Sequence, residues 1–136
     1  MTKLLVLILI ILSLVPLAGC SNYRFSSETA EARTSGRQAV ELIDNFLDDF
    51  TMETAAITHN PLREMVDMSA IDIELIPNDR SEMSLNELIF DAMAAIHLYS
   101  HGLPEDLPED HPFADFEALV LEARNELAAG LGMRRR

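Results

Sequence analysis

Between Ser84 and Ser100 the chain carries a helix that is apolar around most of its circumference, and such a helix has to be surrounded by the rest of its fold. Ser84-Leu85-Asn86-Glu87 has the form of a capping box, and Gly102 stands just beyond the far end. Leu85, Leu88, Ile89, Ala92, Ile96 and Tyr99 make the main stripe at helical spacing. Phe90, Ala94 and Leu98 fall on the opposite side. This segment is therefore predicted to be the centre of the fold.

Three amphipathic stretches can surround it. Arg37 to Phe50 places Ala39, Val40, Leu42, Ile43, Phe46, Leu47 and Phe50 on one side, with Arg37, Glu41, Asp44 and Asp48 on the other. Thr51 to His59 is a weaker helical stretch. Asn60-Pro61 is expected to stop it and start a short helix that buries Leu62, Met65 and Val66. The last helix is expected to begin at His111 or Ala114 and end near Ala129-Gly130, burying Phe113, Phe116, Leu119, Val120, Ala123 and Leu127. Ile71-Asp72-Ile73-Glu74-Leu75 alternates like a half-buried strand, but no comparable strand is available to pair with it. An extended connector near 71–77, packed on the helices, is predicted instead. The tandem Leu103-Pro104-Glu105-Asp106 and Leu107-Pro108-Glu109-Asp110 is excluded from regular helix by its prolines. The predicted architecture is all-α, a small bundle of three to five helices around a central apolar helix.

The first twenty residues have another purpose. Lys3 supplies a positive charge, Leu4 to Val15 an apolar run, and Ala18 and Gly19 small residues before the only cysteine, Cys20. The run ends after about fifteen residues, short of the roughly twenty that a membrane-spanning helix needs. Leu17-Ala18-Gly19-Cys20 resembles the lipobox of a bacterial lipoprotein signal peptide. That resemblance implies cleavage before Cys20, a diacylglyceryl group on its sulfur and attachment to the cell envelope. Ser21 stands where lipoprotein chains kept in the inner membrane of Gram-negative cells typically carry Asp. The resemblance thus implies an outer-membrane position facing the periplasm in such a cell. The expected division is 1–19 signal peptide, 20–36 lipidated cysteine and tether, 37–130 acidic helical domain and 131–136 basic tail. Fully extended, the tether would span roughly 50 Å.

Charge narrows the partners. The whole chain carries a formal net charge of −13, and nine of its ten basic residues are arginine, Lys3 being the exception. A surface this acidic repels nucleic acid and anionic headgroups, and it either favours a basic protein partner or serves only solubility. With Cys20 in lipid no internal disulfide can form, so packing alone must hold the domain together.

Few residues suggest chemistry. His97 and His101 are four apart, the spacing used by metal-binding helices, with His111 and the carboxylates of Glu105, Asp106, Glu109 and Asp110 close in sequence. The alternative is that both histidines favour the negative end of the helix dipole. Neither the Pro-Glu-Asp repeat nor the Glu41, Asp44, Asp48 face has the alternation and loop glycine of an EF-hand. After cleavage there is no lysine, no free thiol, no Gly-x-Ser-x-Gly elbow and no glycine-rich phosphate loop. An enzyme is not expected, nor any cofactor beyond the covalent lipid on Cys20. Met52, Met65, Met68, Met83 and Met93 could line a groove or fill gaps in the core. Arg134, Arg135 and Arg136 could touch phospholipid headgroups or form a solvated end.

Two functions follow as expectations. One is a membrane-anchored interaction module (adaptor, inhibitor or immunity-type factor) with Glu41, Asp44 and Asp48 as its partner face. The other is a small-ligand or metal-binding lipoprotein using the His97/His101 region.

Overall fold

The computed structural model describes residues 23–102, 108–111 and 114–136. Among them are four α-helices and no strand: α1 Ala30–Asp48, α2 Met52–Met65, α3 Leu85–Ser100 and α4 Phe116–Gly130. Each begins on a side-chain oxygen that accepts one of the first free N–H groups. Thr29 accepts from Ala32, Thr51 from Thr54, Ser84 from Glu87 and Asp115 from Ala118, all at 3.1 Å. At α3 the predicted capping box is complete, because the Ser84 N–H donates to the Glu87 carboxylate at 2.9 Å.

Each helix packs on the next, α4 closes back on α1, and α1 and α3 also touch each other across the bundle, so α3 is one of its four walls and not a helix ringed by the rest. One end of the bundle is aromatic: Phe50 meets Tyr99 at 4.7 Å between ring centroids, and Tyr99 stacks on Phe116 at 5.0 Å. These rings come from the end of α1, the end of α3 and the start of α4. At the opposite end the space above Gly36 is filled by Leu85 and Leu131. Helices therefore alternate in direction, which makes a four-helix up-and-down bundle. Val40, Ile43, Phe46, Leu62, Leu88, Ile96, Val120 and Leu127 are shut away from solvent in its core. The far side of α3 is only partly covered: Phe90 and Ala94 are half-buried and Leu98 is exposed.

Several local expectations differ from what is found. The first helix starts at Ala30, well before Arg37, and α4 starts at Phe116. Phe113 and residues 103–107 of the Pro-Glu-Asp repeat lie outside the described residues. Pro61 does not stop a helix, because α2 runs through it. Ala55, Thr58 and Leu62 bury one continuous face on both sides of the proline. The carbonyl of Ile57, which loses its N–H partner to Pro61, belongs to an exposed residue that water can reach. The connector from Val66 to Ser84 is three short 3₁₀ turns, Met68–Ala70, Ile73–Leu75 and Arg80–Glu82, separated by extended residues. Asp67, Asp72 and Asp79 each cap a turn by accepting the N–H two residues on. These local bonds replace a strand ladder, and the side chains do not alternate between inside and outside. Ile71 and Ile76 are half-buried, while Ile73 and Leu75 both point into solvent.

The segments on either side of the helical domain are also packed. Phe25 is 5 % exposed and donates its N–H to the Gly130 carbonyl at 2.7 Å. Its ring lies so close that a methyl group on Gly130 would come within 2.3 Å of it, so only glycine fits. Tyr23 packs beside Gly132, whose φ of +72° ends α4 in the left-handed turn that glycine favours. After that turn the chain doubles back along α4, where Asn125 accepts the Arg136 N–H at 2.8 Å.

Candidate functional site

The acidic face of α1 is occupied by the chain's own arginines. Arg124, on α4, donates from Nε and Nη2 to the two oxygens of Asp44 at 2.8 and 3.0 Å. Its third bonding direction is filled by the Arg134 carbonyl and Asn125 Oδ1. Arg136 reaches both Asp44 and Asp48. Burial alone would raise the Asp44 pKa, but hydrogen bonds and charge from Arg124 and then Arg136 outweigh it and hold the carboxyl below its ordinary value. The geometry is a two-pronged guanidinium–carboxylate pair, with the Arg124 side chain 9 % exposed and that of Asp44 28 %. Of the three residues expected to meet a partner, Asp44 and Asp48 are thus engaged internally. Glu41 is exposed and takes part in no ion pair among the described residues.

The histidines make a different group. His97 and His101 share a face of α3 as their spacing predicts, with ring centroids 4.5 Å apart. His59, from α2, joins them at 4.3 Å from His97. Its Nδ1 lies 3.3 Å from Asn60 Oδ1. Partial desolvation, then repulsion from His59, His101 and Arg63, lowers the His97 pKa below that of a free imidazole. The His59 and His97 rings are tilted to each other by 34° and His101 meets His97 edge-on at 84°; among the described residues no group of three or more His, Cys, Asp or Glu is placed to hold a metal ion. His59 carried no sequence signal, since it enters only because α2 runs antiparallel to α3.

Two surface features complete the description. A cleft of about 390 Å³ lies among the start of α1, the end of α2 and the start of α3, with Ala32, Met65, Leu85 and Ile89 as its apolar lining and Glu28, Glu31 and Asp67 as its acidic one. Of the methionines, Met83 and Met93 belong to the core, Met65 lines this cleft, and Met52 and Met68 are exposed. Met52, Ile57 and Leu98 leave about half or more of their surface in water on α2 and α3. Helical rise places Ile57 and Leu98 at nearly the same height, given the contact between His59 and His97.

No helix among the described residues is long and apolar enough to cross a membrane. No family model, curated protein or solved structure matches this chain.

Proposed function

We propose that this chain is a bacterial envelope lipoprotein, lipidated at Cys20, whose helical domain binds another envelope protein as an adaptor, inhibitor or immunity-type factor. The supporting observation is that Met52, Ile57 and Leu98, on α2 and α3, are the large apolar side chains of the described helices left about half exposed or more, while the others are buried or half-buried. Apolar side chains left in water on a helix surface are available for contact with a partner. Residues 38–123 hold twenty carboxylates against two arginines, so the rim around this apolar group suits a basic partner. This reading moves the partner surface away from Asp44 and Asp48, whose charge is already met within the chain.

The test compares the full lipidated chain with an Ile57→Asn, Leu98→Asn variant, both used to capture proteins from detergent-solubilised envelopes. Both positions are exposed, so the variant should keep its helical circular dichroism. It should lose most of the captured partner, and what remains should be released at lower salt. If the wild type and the variant retain the same proteins in the same amounts, the α2–α3 face is not the binding surface.

A further inference from the structure

Four observations converge on one end of the bundle. The first is chain length. Tyr23, Arg24 and Phe25 are docked on the folded domain, so only Ser21 and Asn22 separate Cys20 from a fixed residue. Three peptide links reach about 11 Å at most, in place of the roughly 50 Å that a sixteen-residue tether would allow. The second is topology. Phe25 sits at the end of α4, and the same end holds the start of α1, the end of α2 and the start of α3. The connector between α2 and α3 therefore leaves from this end and returns to it, with Arg80 of its last turn reaching along α3 and α4 to Asp91 and Glu122.

The third is a direct tie between the two. Arg24 donates to the Arg80 carbonyl at 3.0 Å and to the Met83 carbonyl, so the docked segment and the connector are fixed to each other. The fourth is exposure. Ile73 and Leu75, on the middle turn of that connector, are 74 and 76 % exposed, the highest values for large apolar side chains among the described residues. Asp72 holds the turn by accepting the Glu74 N–H at 3.2 Å, so the two side chains are presented on an ordered backbone.

We infer that this end of the bundle is a membrane-contact surface, with Ile73 and Leu75 entering the interfacial layer of the bilayer that holds the anchor. The inference rests on lipidation at Cys20 as proposed above. A lipid on Cys20 keeps Tyr23 within about 11 Å of the headgroups, and the connector tied to Arg24 is held near the bilayer with it, where exposed apolar side chains can enter the interfacial layer. Asp72 and Glu74 flank them, with Glu28 and Glu31 at the same end, so the fitting surface is zwitterionic lipid, whose ammonium groups can meet carboxylates. Seating this end on lipid turns the aromatic end, with His101 and Leu98 near it, away from the membrane.

The chain has no tryptophan, so a single introduced indole reports its own surroundings. Leu75→Trp and Leu98→Trp are made in the full lipidated chain, and mass spectrometry first establishes the lipid on Cys20. Each is reconstituted into vesicles of phosphatidylcholine and phosphatidylethanolamine, some with bromine on the acyl chains. Leu75→Trp should shift its emission to the blue and lose at least half its intensity to the brominated lipid, while Leu98→Trp should do neither. A Leu75→Trp emission that stays at the value for solvent, or equal quenching at both positions, overturns the inference and leaves the proposed function standing. Absence of lipid on Cys20 overturns the proposed function and this inference with it. Adding Ile73→Asn to the Leu75→Trp chain should weaken the quenching; unchanged quenching overturns the assignment of Ile73 to the bilayer.

Discussion

The α1–α4 seam and the α2–α3 seam use charge in opposite ways. Between α1 and α4, Arg124 and Asp44 meet as a two-pronged pair with Arg136 beside it, so opposite charges draw two helices together. Between α2 and α3, three imidazoles meet ring to ring, tilted and edge-on, and His59, His101 and Arg63 all oppose a positive charge on His97. The first seam needs its charges to exist. The second is weakened by a proton on His97, and it relies on apolar packing beneath the rings. Charge in a helical bundle is thus not one quantity; its effect depends on what faces it across each seam.

The largest expected effect tests the apolar part. Ile96, buried on α3 one residue before His97, should cost about 4 kcal/mol as Ile96→Ala, through lost transfer energy and the cavity left behind. Urea melts of the soluble fragment from Ser21 onward measure it. A loss below about 1 kcal/mol would show that the packing around α3 is not what holds this side of the bundle.

Next comes the charged seam. Asp44→Ala should cost about 3 kcal/mol, because it leaves the Arg124 guanidinium largely buried with only neutral acceptors. Adding Arg124→Met to it should restore much of that loss, since a similar apolar volume then fills the space. If the double variant is no more stable than Asp44→Ala alone, the pair acts through the position of the tail and not through its charge.

The smallest effect is the one that separates the seams in pH. His97 has a lowered folded pKa, so its contribution is complete above the ordinary value of 6.5 and is lost as pH falls through the folded value. Asp44 also has a lowered folded pKa, but its contribution is present above 3.8 and disappears only as pH falls below that. Thermal melts from about pH 7.5 to about pH 5 should therefore show a small decline that His97→Gln removes and Asp44→Ala leaves in place. The same decline in both variants would sink the comparison.

The helical part of the fold was legible because it rests on periodicity. The stripe of α3 and its capping box lie where spacing puts them, and Phe116, Val120, Ala123 and Leu127 of α4 are buried as expected. What was not legible depends on residues distant in sequence. Arg124 falls between Val120 and Leu127 on the buried side of α4, and a lone cation inside an apolar stripe is a signal that it must find a partner. Nothing local says that the partner is Asp44. The connector misleads for the converse reason: its alternation suggests a strand, yet Asp67, Asp72 and Asp79 offer the backbone closer hydrogen bonds in turns. Tyr23 to Phe25 look like linker because their partners, Gly130 and Gly132, have no side chains to form a pattern.

The contact between Phe25 and Gly130 also sets an order of events. It joins the first folded residues to the last helix, so it cannot form until α4 has been synthesised and has docked. Under the lipidation proposed at Cys20, an enzyme acting there would meet either a chain in which this contact has not yet formed or one already closed by it. In the closed chain only Ser21 and Asn22 lie between the cysteine and the docked segment, so closure of the fold and maturation of the proposed anchor would compete for the same short stretch.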